Sequence, residues 1–344
     1  MCLVRRTIVG NRARATRHAL ADAEFSRRGV RAIRYGSPGR GGGVRKFGGT
    51  WSETKLDCVE KYTLGYLQAM QKQYWCTLDY VDAFAGRGRQ ALKSGTSPAD
   101  LEDFFGDESE RADTEEFLVG SAIRALRASQ ASARSFDSFI FIEADQPSCD
   151  ELRGIVQSDF STVENHVRVL CENANTALDT YVKSVNWTRN RALVFLDPYG
   201  LEVDWGLIQR LSGTQACDVW YLFPLGGVIR MMTNNGQIPV SWAARLDQLF
   251  GTHSWYAEFY KLSAQQSLFG DEILQKDAST QHVVDYVRNR LGMAFAAVSD
   301  AGVLRNSKGA PLFALVLGVS NPSPAAQKIA LGIANHLVKD LSQP

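Results

Sequence analysis

From Phe47 onward, apolar positions recur first at helical and then at strand spacing. Thr50 followed by Glu53 matches a capping box, and Leu56, Val59, Tyr62, Tyr66, Leu67 and Met70 continue at helical intervals, which predicts a helix. Leu78 to Phe84 reads as a strand running into the turn Gly86-Arg87-Gly88. A helix is expected over about 116–129, after which the alternation becomes regular. Strands at 139–142, 167–170, 192–196 and 219–223 are separated by helices over about 147–156 and 175–184. Near-continuous apolar runs separated by helices predict a parallel sheet buried on both faces. Helical stretches at 226–262 and 279–291 follow. Two last strands, Ala294 to Ser299 and Leu312 to Val319, are joined by a short turn-rich linker, which predicts an antiparallel hairpin.

Composition changes this picture mainly at the ends. The 344 residues are 45% hydrophobic and 22% charged, enough for one large α/β domain, and no apolar run is long enough to span a membrane. The formal net charge of +1 conceals an asymmetry: residues 1–46 carry 12 Lys or Arg against 2 acidic residues, whereas the remainder carries 26 against 35. This basic segment is Arg- and Gly-rich, without sustained apolar periodicity. It therefore reads as a disordered or misassigned stretch ahead of a domain over 47–344. Its charge also makes nucleic acid or a membrane surface a candidate partner, and an Arg-rich transit peptide has a similar composition. Nine acidic residues between Asp100 and Glu116 mark an inserted surface loop at about 92–116. The six cysteines and five histidines show no metal-ligand spacing, so no metal is expected, and unpaired cysteines suit a reducing, cytoplasmic setting.

Candidate chemistry gathers where the predicted strands end, the edge at which parallel sheets bind ligands. Gly86-Arg87-Gly88-Arg89-Gln90-Ala91 matches a generic nucleotide-loop pattern, but Asp82 lies four residues before it. A carboxylate there opposes a pyrophosphate and favours the ammonium of S-adenosylmethionine; alternatively, Asp82 caps the turn. Glu143 ends the second strand, placed for two ribose hydroxyls or for solvent. Asn173 ends the third, placed for an adenine amine or as a local turn residue. The fourth strand stops at Asp197-Pro198-Tyr199-Gly200. Here the Asp197 carboxylate and a rigid Pro198 turn can hold a substrate amine, and Tyr199 can stack on a planar target. Lys55, Trp51 and Tyr62 lie on a helix that either folds over the cleft or only covers the sheet, and Arg230, soon after the fifth strand, either meets an anionic substrate or is solvated.

Five parallel strands followed by an antiparallel hairpin is the strand inventory of a Rossmann-like class I methyltransferase fold: a mostly parallel seven-stranded sheet with helices on both faces. Phe84-x-Gly86-x-Gly88 and Asp197-Pro198-Tyr199-Gly200 resemble the first and fourth motifs of amino-methyltransferases of nucleic acid bases. In the fourth motif, Tyr199 stands in the slot of a second proline and Gly200 in that of an aromatic residue. Four strings together are more specific. Phe47 to Lys55, Tyr80 to Gly88, Phe195 to Leu201 and Asp218 to Gly226 resemble the three-Cys-motif partner protein family, TcmP, over about residues 47–340. That resemblance implies a methyltransferase-like fold and a partner with a three-cysteine, radical-SAM-like motif. The expected function is S-adenosylmethionine-dependent N-methylation of a nucleic acid or nucleotide-like substrate, with Asp82, Phe84, Gly86, Gly88, Glu143 and Asn173 on the cofactor and Asp197, Pro198 and Tyr199 at the reaction. A non-catalytic, partner-binding scaffold is the alternative, and a nicotinamide dehydrogenase is the third reading.

Overall fold

The computed structural model describes residues 50–88, 119–262 and 274–341; the basic segment 1–46 and the insertion at 92–116 lie outside them. Helix α1 (Thr50–Ala69) leads into β1 (Thr77–Asp82). Then follow α2 (Ser121–Gln130), β2 (Ser138–Glu143), α3 (Gln146–Asp159), β3 (Val167–Cys171), α4 (Ala174–Ser184), β4 (Asn190–Leu196), α5 (Trp205–Gly213) and β5 (Cys217–Phe223). Strands β1 to β5 are parallel, in the order β3-β2-β1-β4-β5. The order reverses at β1, which puts a ligand crevice outside the carboxyl ends of β1 and β4.

Strand periodicity sorts the core into two layers. Val81, Ile140, Val194, Val219 and Tyr221 face one way, against α4, α5 and the helices between residues 225 and 294, while the last helix, over 324–341, lies on the other side. Tyr80, Phe139, Phe141, Leu193, Phe195 and Trp220 face the other, against α1, α2 and α3. Successive residues of each strand are therefore both buried, and this is why the strands read as unbroken apolar runs.

The C-terminal third refines the expectation. It contains α6 (Leu225–Met231), α7 (Val240–Phe250), α8 (Trp255–Phe259), a small antiparallel pair of β6 (Tyr260–Leu262) with β7 (Leu274–Lys276), and α9 (Thr280–Ala294). A three-residue strand carries too little periodicity to be separated from the helical run before it. Strand β10 (Pro311–Val319) lies antiparallel to β5, and α10 (Pro324–Leu341) closes the chain. Of the expected strand from Ala294 to Ser299 only β8 (Ala297–Val298) forms, and after a break a further strand, β9 (Gly302–Arg305), lies in the stretch read as a linker; both are antiparallel to β10. Ser299 causes the break. Its backbone N–H donates to Leu317 O at 2.9 Å, while its hydroxyl, in place of a ladder carbonyl, accepts from Leu317 N at 2.9 Å. Seven strand positions are thus filled by eight pieces, and the fold is Rossmann-like and methyltransferase-like. No described helix is long and apolar enough to cross a membrane.

Candidate functional site

The glycine turn is built by backbone requirements. Gly86 and Gly88 have φ of 59° and 76°, the left-handed region that favours glycine. A Cβ on Gly88 would lie 2.8 Å from Leu152 Cδ1, so this glycine also sets how closely the turn packs on α3. Ala83 N donates to Phe195 O at 3.0 Å and Ala85 N to Ile142 O at 2.9 Å, so the turn stays hydrogen-bonded to both neighbouring strands. Phe84 is half-buried against the core, and its backbone N–H reaches Asp82 Oδ1 at 3.2 Å.

Three strand-end carboxyls lie side by side on β2, β1 and β4. Glu143 accepts from Gly86 N at 3.0 Å through Oε2 and from Asp145 N at 2.9 Å through Oε1, joining the end of β2 to the glycine turn. Asp82 is covered rather than open. It is fully buried, and its Oδ2 has no hydrogen-bond partner among the described residues. Burial pushes its carboxyl up to about 7; Asp197 adds to the rise, while the Ser121 hydroxyl, Phe84 N–H and Lys55 pull it back. Asp197 sits under an ammonium, with Lys55 Nζ 2.6 Å from its Oδ2 and both side chains largely buried.

Tyr199 stands exposed above this group, its hydroxyl 4.0 Å from where a Gly86 Cβ would lie. Desolvation of the phenol raises its pKa, and the carboxylates of Glu143, Asp197, Glu202 and Asp82 raise it further. Pro198 is buried and fixes the turn between Asp197 and Tyr199. Asp82, Phe84, Gly86, Glu143, Asp197, Pro198 and Tyr199 therefore gather at the carboxyl ends of β1, β2 and β4, and the carboxylates of Glu143, Asp197, Glu202 and Asp82, all felt by Tyr199, make this end of the sheet acidic.

Asn173 is placed differently. Its Oδ1 accepts from Asn175 N at 3.0 Å and Thr176 N at 3.4 Å as the N-cap of α4, which commits the oxygen assigned to an adenine amine. Tyr62 is also away from the crevice: its hydroxyl donates to Asp218 Oδ2 at 2.9 Å near the amino end of β5. Trp51 is a core residue, stacked on Phe313 with centroids 5.2 Å apart. Arg230 lies half-buried on α6.

Two contributors escaped sequence reasoning. Ser121 opens α2 beside Asp82, and Glu202 accepts from Gly200 N at 2.7 Å, fastening the turn after Tyr199. An acid two residues beyond Gly200 was the only local signal for Glu202. Nothing local marks Ser121, because the insertion separates it from β1. Among the described residues no cluster of three His, Cys, Asp or Glu side chains is placed for a metal ion.

The orphaned Asp82 Oδ2, though closed off from solvent, has the charge and acceptor character that a cationic nucleoside would need. A buried acceptor of this kind matches an ammonium N–H donor and opposes a phosphate. No protein-family profile matches the sequence, and no curated protein does. Among solved structures, a Legionella pneumophila protein of the DUF519 family aligns over 83% of this chain and 92% of its own, at 14% identity and a TM-score of 0.42. A S-adenosylmethionine-dependent methyltransferase of Clostridium acetobutylicum aligns over 76% and 91%, at 8% identity and a TM-score of 0.29.

Proposed function

We propose that this chain is a S-adenosylmethionine-dependent methyltransferase acting on nitrogen of a nucleic acid or nucleotide-like substrate, in association with a three-cysteine-motif partner. The observation that carries the reading is the alignment of Glu143, Asp82 and Asp197 on three adjacent strand ends around the glycine turn. Bound S-adenosylmethionine supplies a methyl group on a sulfonium cation. Asp82 would meet its ammonium, and Glu143, already bonded to Gly86, would accept from ribose hydroxyls. Asp197 Oδ1 makes no hydrogen bond among the described residues, whereas Oδ2 is held by Lys55. Oδ1 is therefore the acceptor for a substrate N–H, turning the nitrogen lone pair across the crevice. Titration of the full chain with S-adenosylhomocysteine tests this reading. A saturable heat that Asp82→Asn weakens supports it; neither heat nor a thermal shift at about millimolar ligand overturns it.

A second reading, a methyltransferase-like scaffold without catalysis, draws on two contacts. Lys55 already occupies Asp197, and Tyr199 stands over Gly86 where the turn would face a ligand. On this reading Asp197→Ala leaves partner capture intact, and no methyl transfer from labelled cofactor appears with RNA, DNA or nucleotide pools. A methylation that Asp197→Ala abolishes excludes the scaffold.

A further inference from the structure

At the opposite, amino ends of the strands a cavity of about 540 Å3 opens between the turn before β1 and the loop before β4. Two large rings stand at it in water: Tyr74 is 77% exposed and Trp75 48%. Both are braced. Arg134 lies over the Tyr74 ring at 5.8 Å and Arg191 over Trp75 at 4.7 Å, while Trp75 Nε1 donates to Gln73 Oε1 at 2.8 Å. Bracing removes in advance much of the entropy that stacking a ligand would cost, and exposed aromatic area is what such stacking would cover.

Polar groups complete the cavity at two depths. Asp79 lines it and is only 7% exposed; its Oδ2 accepts from Tyr181 Oη at 2.7 Å and Asn190 Nδ2 at 2.8 Å. Its Oδ1 has no partner among the described residues, which leaves a nearly buried acceptor able to take an N–H. Arg189 lines the rim, exposed, and its guanidinium makes no hydrogen bond or ion pair among the described residues. Arg134, by contrast, is committed to Asp137 and Cys76 O. One cavity thus offers flat apolar surface, one deep acceptor and one free planar cation, within the size range of small-ligand sites.

We propose that this cavity binds a mononucleotide, with its base against Tyr74 and Trp75, a base N–H on Asp79 Oδ1 and its phosphate on Arg189. The site is separate from the strand-end crevice and does not depend on methyl transfer. The test is calorimetric titration of the full chain with AMP, GMP, CMP and UMP, beside adenosine, inorganic phosphate and a single-stranded pentanucleotide. At least one mononucleotide should saturate with Kd below about 1 mM, more tightly than adenosine or phosphate. Tyr74→Ala and Arg189→Ala, both surface changes that spare the core, should each weaken it by about fivefold or more, with saturating S-adenosylhomocysteine leaving Kd unchanged. Four outcomes overturn the proposal: no saturation by any mononucleotide up to about 5 mM, binding indifferent to both variants, competition with S-adenosylhomocysteine, or saturation by the pentanucleotide alone.

Discussion

Lys55 Nζ lies 2.6 Å from Asp197 Oδ2, joining the first turns of α1 to the end of β4 across 142 positions of sequence. Both side chains are largely out of water, so neither charge is well served alone. Lys55→Met should therefore lose about 2 kcal/mol in urea denaturation, below the full cost of orphaning a deeply buried charge, because Asp197 keeps some solvent. Lys55→Met with Asp197→Asn should lose less than the two single changes added together. Additive losses would mean that the pair is not coupled.

Asp82 and Asp218 predict an unusual pH dependence. Burial, the leading cause for each, pushes their carboxyls up to about 7 and about 6. With the folded-state value above the unfolded one, the folded protein binds more protons between them. Stability should therefore fall as pH rises from about 4 to about 7 and level off above, each group contributing at most about 1.4 kcal/mol per unit. Asp82→Asn should flatten the upper part of that decline, read as urea midpoint against pH. An unchanged profile would place the Asp82 carboxyl in water.

The glycines of the crevice and of its neighbouring helix should respond in opposite directions. Gly88→Ala meets Leu152 Cδ1 at 2.8 Å and a φ of 76°, and should destabilise by about 1–3 kcal/mol. Gly154→Ala, within α3 and with nothing inside 4 Å of the added Cβ, should stabilise by about 0.5–1 kcal/mol. Thermal denaturation of both variants checks the pair.

Glu143 is predicted to matter through the turn as much as through any ligand. Glu143→Ala removes the acceptor of both Gly86 N and Asp145 N, leaving the turn without its anchor to β2. S-adenosylhomocysteine affinity should drop about tenfold or more, with a loss of stability of about 1–3 kcal/mol. Glu143→Gln, which keeps one carbonyl acceptor, should fall between the variant and the parent protein.

Much of the architecture is local in origin. Buried strands announce themselves by apolar runs of strand length, and Gly86, Gly88 and Pro198 by the backbone they require, so the sequence alone determined five parallel strands, their order of appearance and the polar residue at the end of the first four. What each polar residue does there was settled by the tertiary structure. Asn173 Oδ1 went to a helix cap, Asp82 was roofed over beside Ser121, and Asp197 acquired Lys55. The break at Ser299, the Glu143 bond to Gly86 and the Asp79 cavity likewise depend on segments brought together from far apart in the chain. Periodicity reports which face of its own element a residue occupies. The partner of a hydrogen bond or an ion pair is fixed only once elements distant in sequence pack, and burial then sets how strongly each charge is felt.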